Sequence, residues 1–102
     1  MVAPKIKMKA ILHKEFGGPE VLGVTNDVEI PQIEKHEVLI QVHAAGINRP
    51  DILQRSGGYP PPPGASEILG LEVSGEIIDV GEDVNKNLLN TKVCALVPGG
   101  GY

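Results

Sequence analysis

The chain is 102 residues long, which leaves room for one domain with a single modest core. Its formal charge of −4 provides no basic face for nucleic acid or anionic lipid. No apolar run approaches the ~20 residues that a membrane-crossing helix needs, so neither nucleic acid nor membrane is expected as a partner.

Apolar residues make up 41% of the chain but aromatic ones only 3%, so Val, Ile and Leu must fill the interior. Thirteen glycines and nine prolines stand between short apolar runs rather than in one tract. That distribution points to a turn-rich β domain rather than to disorder. Met1 to Ala10 carries lysines but no apolar stretch behind them, unlike a signal peptide. Cys94 is the single cysteine, which rules out an intramolecular disulfide and fits a reducing, cytoplasmic setting.

In chain order, Met8 to His13 reads as a first strand and Phe16-Gly17-Gly18-Pro19-Glu20 as a turn. A second strand is expected within Val21 to Ile30, followed by a polar connection from Pro31 to His36. Glu37 to Gly46 is the strongest strand signal. It alternates Val38, Ile40 and Val42 on one face with Leu39, Gln41 and His43 on the other, and the all-apolar face should look into the core. At Asn48-Arg49-Pro50-Asp51 the pattern changes: a favoured N-cap, a proline in the first turn and an acid three residues on predict a short helix to about Arg55. Ser56-Gly57-Gly58 ends it. Tyr59 opens a loop whose Pro60 to Pro63 run is stiff and extended. Leu71 to Val80 is another long strand, with Gly75 marking a bulge or a close backbone approach. Lys92 to Val97 is the last strand, with Cys94 expected to be buried in it. About five β segments, one short helix and a proline-rich loop suggest an open or partly closed β-barrel.

Three stretches carry a family pattern in order: Val38-Leu39-Ile40 leading into Ala45-Gly46-Ile47-Asn48-Arg49-Pro50-Asp51, then Arg55-Ser56-Gly57-Gly58-Tyr59 with its prolines, then Leu69-Gly70-Leu71-Glu72-Val73-Ser74-Gly75 with Val80-Gly81. Together they resemble the medium-chain dehydrogenase/reductase superfamily and, within it, the zinc-independent quinone oxidoreductases. The run Asn48 to Gly75 is similar to the p53-inducible type of that enzyme. The resemblance implies a mainly β, GroES-like partly open barrel over residues 8–102, with residues 1–7 as an extension. It also implies a Rossmann nucleotide-binding domain outside these residues. One departure is Asn90-Thr91, where members often have Gly-Asp; Asn tolerates a left-handed turn, so the fold should survive.

By the same resemblance, zinc alcohol dehydrogenases place a cysteine where this chain has Asn48 and a histidine where it has Leu71. Neither replacement can ligate as a thiolate or an imidazole does, so no metal is expected. His13, His36, His43 and Cys94 show no ligand spacing. The implied activity is hydride transfer from NADPH to a small-molecule quinone, in a parent enzyme that is a homodimer or homotetramer. Asn48 and Tyr59 are implied to line the nicotinamide side of the cleft and donate hydrogen bonds, with Asp51 orienting them from the first helical turn. The residues alone also allow Asn48 and Asp51 to be plain helix caps, Tyr59 to be loop packing, and Glu72 to be a structural hydrogen-bonding group.

No Gly-rich strand-turn-helix for a cofactor pyrophosphate occurs here, and Val97 to Tyr102 is no substitute because no helix follows it. Hence these residues alone should be inactive. Two other readings compete: a stand-alone GroES-like co-chaperonin module and a catalytically dead crystallin-like or regulatory relative.

Overall fold

A computed structural model describes residues 7–102. Strand β1, Lys7–His13, pairs antiparallel with β2, Leu22–Glu29. Strands β3 (Val38–Ala45), β4 (Glu72–Val80) and β5 (Lys92–Leu96) form an antiparallel sheet in the order β3-β4-β5. The helix α1, Arg49–Ser56, lies between β3 and β4 in sequence. Short 3-10 turns at Pro19–Val21 and Lys86–Leu88 went unpredicted, being single turns too brief to show a period. Among the described residues no strand pairing joins the two sheets, so the architecture is mainly β and a partly open barrel, as the sequence predicts. The expected extension over residues 1–7 lies outside the described residues except for Lys7, which opens β1.

The core is small and aliphatic. Ala10 from β1, Val73 and Ile77 from β4, and Leu69 just before β4 are each 1–4% exposed. What ties the sheets together is a backbone seam. Tyr102 N–H donates to Leu69 O at 2.9 Å, Gly101 N–H to Gly70 O at 3.0 Å, and Ile11 N–H to Tyr102 O at 3.1 Å. The segment after β5 thus lies between β1 and the approach to β4.

Two expectations about faces need correction. The register of β3 against β4 shifts between Leu39 and Ile40 and again between Val42 and Ala44. Each irregularity breaks the two-residue alternation, and Val42 ends up 41% exposed rather than in the core. Cys94 is in a strand but exposed, on the edge strand β5 opposite Ser74. An apolar run does not reveal which of its faces lacks a covering layer. Asn90 behaves as expected, with φ of 66° in the turn before β5.

Gly75 marks a close approach between β3 and β4. A Cβ there would lie 2.1 Å from Gln41 O and 2.9 Å from Gln41 C, both backbone atoms. Gly75→Ala should therefore destabilise the fold by about 3 kcal/mol, the upper end of overpacking costs. Gly23→Ala in β2, with nothing within 4 Å of its Cβ position, should be neutral or slightly stabilising. Urea denaturation of both variants checks this; equal midpoints would refute the close approach.

Candidate functional site

Asn48 is extended, at φ −132° and ψ 158°, and forms the N-cap of α1, with Pro50 in the first turn where a missing N–H costs nothing. Asp51 Oδ2 accepts the Asn48 backbone N–H at 3.0 Å, and the Asp51 N–H donates back to Asn48 O at 3.0 Å. The sequence-predicted capping arrangement is thus in place. The side chain of Asn48 does something further: its Nδ2 donates to Glu72 Oε1 at 3.2 Å. Gly46 N–H donates to Glu72 O at 2.9 Å, so the turn from β3 into α1 is fastened to the start of β4 by backbone and side chain together.

The position of Glu72 leaves no room beside Gly46, where a Cβ would lie 2.5 Å from Glu72 Oε1. Asp51 is 3% exposed. Its Oδ2 also accepts from the Tyr102 hydroxyl, which lies 3.3 Å from Gly46 O. No protein donor reaches its Oδ1 among the described residues. Burial, followed by the hydrogen bond to Asp51 and its negative charge, pushes the Tyr102 phenol up from 10.0 to about 12. Gly70, at φ 104°, allows Tyr102 to approach: a Cβ on Gly70 would stand 2.8 Å from both Tyr102 Cδ1 and Tyr102 N.

Of the three residues singled out from sequence, the structure joins Asn48 and Asp51 by a hydrogen bond, and among the described residues none joins Tyr59 to either. Tyr59 is 45% exposed, and no hydrogen bond reaches its hydroxyl among the described residues. Ile47, just before α1, and Ile52 and Leu53 within it are exposed as well. Tyr102 and Gln54 were not anticipated. Gln54 is 5% exposed with its Oε1 unpaired among the described residues. An amide on a helix whose apolar residues, Ile52 and Leu53, are themselves exposed gives no sign of burial. Tyr102 sits far from Asp51 in sequence, behind a glycine run that carries no periodicity. A groove of about 550 Å³, lined by Leu12, Phe16, Gln54, Pro61, Ile68 and Leu69 among others, includes none of Asn48, Asp51 and Tyr59.

The Gly-rich run before Tyr102 is committed to the fold. Gly100 N–H donates to Ile68 O at 2.7 Å, Gly101 N–H to Gly70 O and Tyr102 N–H to Leu69 O. Amides already bonded to carbonyls cannot cradle a phosphate. Among the described residues no three His, Cys, Asp or Glu side chains gather. His36, His43 and Cys94 are exposed, and His13 places both ring nitrogens near carbonyls, 3.2 Å from Glu15 O and 3.3 Å from Glu67 O.

Residues 34–100 match the alcohol dehydrogenase GroES-like domain, and they include Asn48, Asp51, Tyr59 and Glu72. The chain belongs to that family. It is 42% identical over 96 residues to a mouse quinone oxidoreductase, covering 93% of this chain and 29% of the relative. Among solved structures, a quinone oxidoreductase from Coxiella burnetii aligns with a TM-score of 0.75 at 37% identity, covering 88% of this chain and 29% of that one. The Escherichia coli quinone oxidoreductase solved in complex with NADPH aligns with a TM-score of 0.67 at 33% identity, over 88% of this chain and 28% of that one. The chain therefore matches the N-terminal part of such enzymes and spans 29% of the first curated relatives' length. Within this GroES-like domain, no helix among the described residues is long and apolar enough to cross a membrane.

The raised Tyr102 phenol makes a pH prediction. The folded state holds this proton more tightly than the unfolded state, so the associated stability is complete below about pH 10 and is lost as pH rises towards about 12. With Tyr59→Phe, Tyr102 is the only tyrosine left, and its ultraviolet ionisation band should have a midpoint near 12. A midpoint at 10 would mean that the hydroxyl does not reach Asp51.

Proposed function

We propose that residues 8–102 form the substrate-side wall of an NADPH:quinone oxidoreductase, in which hydride passes from NADPH to a quinone or a similarly electrophilic carbonyl without zinc. The observation that carries this reading is the Asn48 amide, held at the start of α1 with one N–H on Glu72 Oε1. A side-chain amide has two N–H donors, so the second remains for an oxygen that gains charge as hydride arrives. A quinone is already electrophilic. The protein therefore has to supply orientation and a donor rather than a Lewis acid.

Tyr59 offers an exposed phenol as a second donor or a stacking face, and Ile47, Ile52 and Leu53 supply apolar surface for a planar ring. Asp51 orients Asn48 through the backbone N–H that it accepts. NADPH, when bound, supplies the hydride. Asn48 and Tyr59 suit its nicotinamide end, while its phosphates fall to residues other than the committed glycine run. Support comes from the NADPH complex of the E. coli relative. A homodimeric or homotetrameric, cytoplasmic parent enzyme belongs to the same proposal.

Zinc does not fit these residues. At the places of the two ligands in zinc members, Asn48 presents an amide that already donates to Glu72, and Leu71 presents an isobutyl group. Neither can take over from a thiolate and an imidazole.

In the protein that joins this domain to a nucleotide-binding domain, Asn48→Ala should lower kcat for quinone reduction about 10²-fold, with a smaller change in KM. Tyr59→Phe should lower turnover more than melting temperature. NADPH oxidation followed at several quinone concentrations tests both; full activity of the Asn48 variant would refute the assignment. Elemental analysis of the purified protein should find no stoichiometric zinc, and one tightly held zinc per chain would overturn the zinc-free reading.

A further inference from the structure

Tyr102 is fixed more firmly than a residue behind three glycines would suggest. Its N–H is bonded to Leu69 O, its carbonyl accepts from Ile11 N–H, and its ring lies against Gly70 with no space for a Cβ between them. The phenol therefore arrives at Asp51 on a rigid mount. Asp51 in turn holds two donors on one oxygen, the Asn48 backbone N–H at 3.0 Å and the Tyr102 hydroxyl. A carboxyl group can rotate about its last bond and exchange its oxygens. With Oδ1 reached by no protein donor among the described residues, the Tyr102 hydroxyl is the one side-chain donor that holds Oδ2 in place. The Asn48 side chain starts from that same turn and reaches Glu72 at 3.2 Å.

We propose that Tyr102 is a positioning residue: through Asp51 Oδ2 its hydroxyl fixes the Gly46–Asn48 turn, and thereby the direction in which the Asn48 side-chain amide points. The proposal rests on the reading of Asn48 as a hydrogen-bond donor to the reactants, but its geometric content does not require that reading to hold. Its alternative is a plain tether, in which the phenol only fastens the segment after β5 to α1 and leaves Asn48 where it is. The raised phenol value is common to both and does not separate them.

The test uses nitrogen-resolved NMR of the whole 102-residue chain at neutral pH, with the Asn48 side-chain amide pair assigned by its loss in Asn48→Ser. Tyr102→Phe removes only the hydroxyl. Expected is a shift and broadening of the Asn48 side-chain amide pair, with about 10-fold faster hydrogen exchange at the Asn48 backbone N–H, in a spectrum that otherwise stays dispersed. Because that variant can lose stability, Asp51→Asn is run beside it; it keeps the side-chain shape and should move the same amide pair. In the Tyr59→Phe background it should also bring the Tyr102 ionisation midpoint down from about 12 towards 10.0. An unmoved Asn48 amide pair in either folded variant overturns the proposal, even if the melting temperature falls. The signals are read without cofactor or quinone, so a failure of the quinone reading leaves them unchanged and the two failures remain distinct.

Discussion

A carboxylate taken out of water needs donors, and those that Asp51 receives come from places remote from each other in the chain. One is the backbone N–H of Asn48, three residues earlier; the other is the hydroxyl of Tyr102, beyond the last strand. Leaving a buried charged acceptor unpaired costs several kcal/mol. The burial of Asp51 therefore obliges the turn before α1, the helix itself and the segment after β5 to stay together. Glu72 completes the set by taking the Asn48 amide, which brings the start of β4 to the same place. Four parts of the molecule meet around one acid, and the donor proposed to face the reactants is among them.

The apolar core is too slight to impose that arrangement alone. Its most buried members are Ala10, Leu69, Val73 and Ile77, all of modest size, and two separate sheets contribute to it. Backbone contact takes over much of the work. Gly75 lets β3 and β4 approach at Gln41, and Gly70 lets the Tyr102 segment lie against the approach to β4. In both places a methyl group would meet backbone, which cannot move aside as a flexible side chain can. The exposed apolar residues Ile47, Ile52, Leu53 and Leu96 belong to faces that this domain does not cover for itself. That is in keeping with the role proposed for it as one wall of a cleft.

If Asn48 is the donor proposed above, capping and chemistry do not compete in it. Its backbone N–H serves the helix start through Asp51, while its side-chain nitrogen points to Glu72 and keeps a second donor. On the proposed reading, different atoms of one residue carry the two tasks. The cap provides the rigidity that a hydrogen-bond donor needs in order to meet developing charge at the right distance. Glu72 gains a similar double meaning. It is the structural hydrogen-bonding group that the sequence suggests, and it is also what aims the amide.

Local chemistry made much of this legible in the sequence. The five strands and the helix follow from alternation, turn residues and an N-cap followed by an acid three positions later. Each is a property of neighbours in the chain. The left-handed Asn90 and the close approach at Gly75 were readable for the same reason, because each depends on what a single residue type permits. The faces of β3, the exposure of Cys94 and the burial of Gln54 were not readable. Bulges reset the alternation of β3, and whether a face is covered depends on layers that no window of sequence contains. The pairing of Tyr102 with Asp51 belongs wholly to the tertiary structure. It joins residues 51 positions apart through a hydroxyl whose partner is chosen by how the backbone folds back past Gly70, and nothing in the spacing of either residue marks the other.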